Sequence, residues 1–201
     1  VVYDVTRKYG MKQYSMKKFL LLVLGQFISS FGSGLTEFGL SIYVLKETGS
    51  IMATGIVSIC AFLPSILFAP VGGVFADHYD RRLLMVVGAV LSSIGLIICL
   101  GNITSGHFSL FIICTGVALS SIFTALTEPA FKATVTDMVA PEDYAKAGGL
   151  LQIAGDVKLL TAPAIAGILL EVTTVSMLLM IDVFTFITTG AVIFLVRRNI
   201  A

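Results

Sequence analysis

The sequence predicts an all-α membrane protein of six transmembrane helices. Three observations carry that reading. Of 201 residues, 57% are hydrophobic and only 12% are charged, about half the charged share of a soluble domain. The mean hydropathy is +0.99. Six runs reach the roughly 20 mostly apolar residues that a spanning helix needs: about 19–45, 51–76, 83–101, 108–128, 148–170 and 175–196.

Composition also excludes several function classes. No basic stripe with interleaved aromatics is present, so nucleic acid is not an expected partner. No Gly-x-x-x-x-Gly-Lys-Ser/Thr loop occurs, and no nucleophile–base pair suggests covalent chemistry. Neither enzyme activity nor a cofactor or metal is expected. Cys60, Cys99 and Cys114 lie inside apolar runs without metal-ligand spacing and read as small buried hydrophobes.

Residues 1–18 form a basic tail with Arg7, Lys8, Lys12, Lys17 and Lys18. The first residue is Val, and Met11 or Met16 is a plausible initiator. The first span is too long for a signal-peptide core and lacks a small-x-small cleavage site, so it reads as retained. Six spans place both termini on one side of the bilayer. That side receives the tail, the 77–82 hinge, the 129–147 connection and Arg197-Arg198. It holds all of the 13 Lys and Arg except Lys46 on the opposite side and Lys158 within a span. The positive-inside rule makes it the cytoplasmic side. In the 129–147 connection the fourth helix is expected to continue past Pro129. A turn would follow at Ala140-Pro141, and a new helix would open near Glu142.

An internal repeat is visible. Ala69-Pro70-Val71-Gly72-Gly73 in the second span corresponds to Ala162-Pro163-Ala164-Ile165-Ala166-Gly167 in the fifth. The two spans cross in opposite directions, so the bundle reads as a 3+3 inverted repeat. The alternative is coincidence, because Pro and small residues are common in membrane helices.

The hinge carries the most specific pattern. Gly73-x-x-x-Asp77-x-x-x-Arg81-Arg82 resembles the Gly-x-x-x-Asp-Arg/Lys-x-Gly-Arg/Lys-Arg/Lys signature between the second and third helices of the major facilitator superfamily. His78 stands where that signature has a base, and Asp80 where it has Gly. An acid or Asn there resembles the macrolide-efflux-like branch of drug exporters. Gly25-Gln26, Thr48-Gly49-Ser50, Phe62-Leu63-Pro64, Pro129-Ala130-Phe131, Asp137, Pro141-Glu142 and Ile181-Asp182-Val183 agree with that branch.

The resemblance implies half of a twelve-helix fold. Residues 19–198 would be the N-terminal six-helix bundle, and a C-terminal six-helix half would be its partner. Helices one, two, four and five would line a central cavity. Asp77 would face a helix N-terminus of the other half. Arg81 would pair with Asp137 as a gate latch, with Arg82 turned to lipid headgroups or water. The antiporter motif of the fifth helix survives only as Pro163 and Gly167, and no Arg occurs in the fourth helix. The implied function is export of small hydrophobic or amphipathic compounds, macrolide-like drugs among them, by proton antiport with alternating access. Protons, a small-molecule substrate and the lipid bilayer are then the partners. Alternatives are carriage of a siderophore or metabolite, the membrane domain of an ATP-driven exporter, and a non-transporting scaffold.

Charges inside a span need a reason, because each costs about 2.5–3.5 kcal/mol even on insertion scales. Gln26, Ser30, Ser33 and Glu37 recur at helical spacing on one face. They read either as a cavity stripe ending in a coupling or substrate-binding carboxylate, or as a helix seam glued by small polar groups. The seam accounts poorly for Glu37. Asp156 and Lys158 point to different faces of the fifth span. Lys158 is expected to be neutralised by Glu128 or Asp156, or by a carboxylate of the other half. Asp156 with Gln152 would face the cavity, or the charges would form a structural pair between helices. Asp182 reads as structural. Gly116, Ser120, Thr124 and Thr127 share a face that reads first as packing.

Overall fold

The computed structural model describes residues 16–139 and 144–198. The expectations for residues 1–15, Pro141 and Glu142, and for the side chains of Arg197 and Arg198, lie outside the described residues. The described residues form six helices: α1 (Met16–Thr48), α2 (Ile51–His78), α3 (Arg81–Thr104), α4 (Leu110–Met138), α5 (Tyr144–Val172) and α6 (Val175–Arg198). Helices α2 to α5 each contain an apolar window long enough to cross a membrane, and the apolar part of α6 covers Val175–Ala191. Most helices outrun the apolar runs at one or both ends, α4 most of all, passing Pro129 without a break. Hydrophobicity marks only the part of a helix inside hydrocarbon. Backbone hydrogen bonding continues until a cap or turn intervenes.

The caps explain the turns. Gly49 takes φ +62, open to glycine at no steric cost. Ser50 then caps α2, its hydroxyl accepting from the Ala53 amide at 3.2 Å. Between α3 and α4, Gly106 takes φ +71. The Asn102 amide spans the same turn, donating to the His107 carbonyl (3.0 Å) and accepting from the Ser109 amide (3.3 Å).

Core clusters show how the helices alternate in direction. Leu22, Ala76, Met85, Val135, Ala147 and Ile193 meet in one cluster. It joins the starts of α1, α3 and α5 to the ends of α2, α4 and α6. At the other end Val44, Ala53, Cys99, Ile113 and Leu179 meet. The most extensive helix contacts follow the 3+3 exchange of α1 with α4, α2 with α5 and α3 with α6. Under it, α2 on α4 corresponds to α5 on α1, and α3 on α4 corresponds to α6 on α1. Small residues four apart make both close approaches. Gly72 and Ala76 are buried on α2, where a Cβ at Gly72 would collide with the Ala125 carbonyl of α4. Ala162 and Ala166 are buried on α5, packed with Leu35 of α1.

Burial is uneven. In the apolar windows of α2 and α5 only 11% is buried, against 44% in α3. Helix α2 exposes Phe62, Leu63, Ile66 and Leu67, and α5 exposes Leu159, Leu160 and Ile168. Those faces fit lipid or a second apolar bundle, not water.

Candidate functional site

A cavity of about 500 Å³ lies among the six helices. Gln26, Ser30, Ser33 and Glu37 of α1 all line it, as their spacing requires. Lys158 and Pro163 of α5 join them, with Ser120, Thr124 and Thr127 of α4. Residues of α3 and α6, among them Ala89, Asp182 and Phe186, also reach the lining. The sequence expects helices one, two, four and five along one wall of a cavity shared with a second bundle; the cavity within these six helices is lined by α3 and α6 as well.

Gln152 and Asp156 are not in this lining. They stand exposed on another face of α5, where Gln152 Nε2 donates to Asp156 Oδ1 at 2.9 Å. Nor is Lys158 neutralised by Glu128 or Asp156. Glu128 is held by Lys132 one turn on, at 2.8 Å, and Asp156 points elsewhere. The charge of Lys158 acts instead on Glu37 and Asp182. Its stem packs where Gly34 lacks a side chain, with Cε 3.1 Å from the position of a Cβ there.

Asp182, which the sequence reads as structural, also reaches the cavity lining. It is 1% exposed. Its Oδ1 accepts from Ser33 Oγ at 3.2 Å, and its Oδ2 has no hydrogen-bond partner among the described residues. Thr185 and Thr189 are buried on the same face of α6, and Thr189 Oγ1 donates to the Gly25 carbonyl at 3.1 Å. The spacing of 182, 185 and 189 is itself helical and was legible as a polar stripe facing α1.

The α4 face serves packing. Gly116 meets Gly95 and Cys99 of α3. The Ser92 hydroxyl lies 3.2 Å from both the Ser120 carbonyl and Thr124 Oγ1. Gly167 has only Phe38 nearby, 3.9 Å from the position of its Cβ.

The signature corner is ordered by side chains. Asp80 caps α3, accepting from the Arg82 amide at 3.0 Å, which is a reason for an acid at this turn. Arg81 Nε donates to the Ala76 carbonyl and Nη1 to the Ala133 carbonyl, each at 3.2 Å, and Nη1 lies 2.5 Å from Asp137 Oδ2. One guanidinium thus ties the end of α2 to the end of α4. Asp77 and His78 are exposed and Arg82 is half-buried; the His78 ring nitrogen Nδ1 lies 2.9 Å from the Val74 carbonyl. Among the described residues, a Cβ at Gly73 would meet nothing within 4 Å.

Macrolide efflux protein A of Streptococcus pyogenes is 27% identical over 184 residues, 90% of this chain and 44% of that protein. Macrolide efflux protein A of Enterococcus faecalis is 27% identical over 144 residues, 70% of the chain and 43% of that protein. The Staphyloferrin A transporter of Staphylococcus aureus is 26% identical over 163 residues, 81% of the chain and 39% of that protein. The chain spans less than half the length of these relatives. Residues 22–200 match the profile of the Major Facilitator Superfamily, and the chain, a multi-pass helical membrane protein, belongs to that family.

Proposed function

We propose that this chain is the N-terminal half of a secondary active transporter that exports small hydrophobic or amphipathic compounds by proton antiport. The observation that carries the reading is the α1 stripe. Gln26, Ser30, Ser33 and Glu37 put one carboxyl and three neutral polar groups in a row along a cavity whose wall mixes polar side chains with apolar ones such as Phe38, Leu40, Val57 and Phe186. Such a mixed wall suits amphipathic ligands, with apolar side chains supplying contact area and polar groups orienting the ligand. The similarity to macrolide efflux proteins supports the same substrate class.

The partner is a C-terminal six-helix half, supported by the longer relatives and by the exposed apolar faces of α2 and α5. The termini lie in the cytoplasm, supported by the distribution of Lys and Arg. Arg81 and Asp137 then act as a cytoplasmic latch, and Asp77 with Gly73 faces the other half. Glu37 is the coupling carboxyl, and Pro163 and Gly167 shape the fifth helix beside it. Arg82 faces lipid headgroups. Gln152 and Asp156, exposed on α5, are assigned to the boundary with the other half.

The test uses the full-length protein in proteoliposomes with an imposed pH gradient and radiolabelled erythromycin. Glu37→Gln should abolish the gradient's effect while leaving the protein folded by size-exclusion elution. Transport unchanged across a pH series in that variant would remove Glu37 from the mechanism. The similarity to a staphyloferrin A transporter supports a second reading, carriage of a siderophore. Competition between staphyloferrin A and erythromycin would distinguish the two.

A further inference from the structure

Glu37, Lys158 and Asp182 come from three helices, α1, α5 and α6, and all three line the cavity. Lys158 is near enough to act on both carboxyls through space, with no direct ion pair to either among the described residues. Fully ionised, the cluster carries one net negative charge within the membrane. Among the described residues no other charged side chain neutralises it. Glu128, the remaining charged residue of the lining, is held by Lys132. The charged residues of α3, Arg81 and Arg82, lie at the start of that helix, with Arg81 committed to Asp137.

Asp182 shows where the shortfall lies. Its carboxyl is almost fully buried, yet Oδ2 lacks any hydrogen-bond donor among the described residues. On the other oxygen, the single Ser33 hydroxyl proton has a competing acceptor, the Ser29 carbonyl at 3.3 Å. Thr36 also lies within reach of the carboxyl, but its hydroxyl proton has a competing acceptor in the Leu178 carbonyl at 3.4 Å. A buried carboxylate with one oxygen left without a donor is disfavoured. A proton bonded to a carboxyl oxygen supplies both the missing charge and the missing donor.

We propose that Glu37, Lys158 and Asp182 form one site for a single proton, with Asp182 the second carboxyl and Lys158 a built-in counter-ion. The inference rests on the antiport reading for its role in transport and extends it to α6. It makes a count. The wild type holds one protonated carboxyl. Glu37→Gln and Asp182→Asn each hold none, since one carboxylate then balances Lys158. Lys158→Met holds two, and Lys158→Met with Asp182→Asn returns to one.

Dicyclohexylcarbodiimide, which reacts with protonated carboxyls in apolar surroundings, reads this count in the full-length protein. Adducts are mapped by mass spectrometry to peptides carrying residues 37 and 182, in variants checked by size-exclusion elution. The expected adduct numbers at these two positions are one for wild type, none for Asp182→Asn, two for Lys158→Met and one for the double variant. Labelling of Glu37 undiminished in Asp182→Asn, or unchanged in Lys158→Met, would overturn the shared site. Erythromycin transport under a pH gradient separates the two readings. Adducts that follow the count, with transport indifferent to the gradient, would keep the site and remove antiport. Gradient-driven transport with adducts that ignore the count would do the reverse.

Discussion

Each side chain at the corner between α2 and α3 has a separable task. Asp80 caps a helix, whereas Arg81 and Asp137 join two helices. Asp80→Ala should therefore lower stability by about 1 kcal/mol, the usual value of a lost N-cap, seen as a small drop in melting temperature. Asp137→Asn should behave differently. Asp137 is largely exposed, with 68% of its side chain accessible against 30% for Arg81, and ion pairs open to solvent contribute roughly 0–1 kcal/mol. Its melting temperature should hardly move while export falls several-fold, because a latch acts on the balance between two conformations. Equal loss of stability in both variants would argue that the pair is merely structural. At this scale the sequence was informative wherever a pattern was local. The α1 stripe sits on the cavity because four residues on one helix obey one period. The partner of Lys158 was not legible, because Glu37 and Asp182 are remote in sequence and only packing brings them together.

At the scale of the element, glycine separates packing from function. A Cβ at Gly95 would meet the Gly116 carbonyl and the Ser120 backbone, and one at Gly72 would meet the backbone of α4. Backbone cannot move aside as a flexible side chain does. Gly95→Ala and Gly72→Ala should each cost about 1–3 kcal/mol, the usual range for overpacking, read as reduced thermal stability in detergent. Gly73→Ala should cost far less, since nothing lies near its Cβ position. Loss of export in a stable Gly73→Ala variant would locate the reason for that glycine outside these six helices. The number of helices was legible because bilayer thickness sets a length. Their ends were not, because Asp80, Ser50 and Asn102 set them through hydrogen bonds that hydropathy does not register.

At the scale of the molecule, the 3+3 repeat was legible from two proline-containing segments, and the most extensive helix contacts of the fold follow the same exchange. The cavity's membership was not legible, since α3 and α6 reach it through turns of packing that no single helix encodes. The account treats the Arg81–Asp137 end as a closed gate and the cavity as reached from the opposite side, with the two states exchanging. Ser30 lines that cavity and reports on it. The direct measurement places cysteine there, as Ser30→Cys, in a full-length transporter with Cys60, Cys99 and Cys114 replaced. Alkylation by a membrane-impermeant maleimide is then followed from each side of the membrane. The account expects faster reaction from outside in the latched protein and a shift toward the cytoplasmic side when Asp137→Asn is added. Equal rates from both sides, unchanged by loss of the latch, would contradict it.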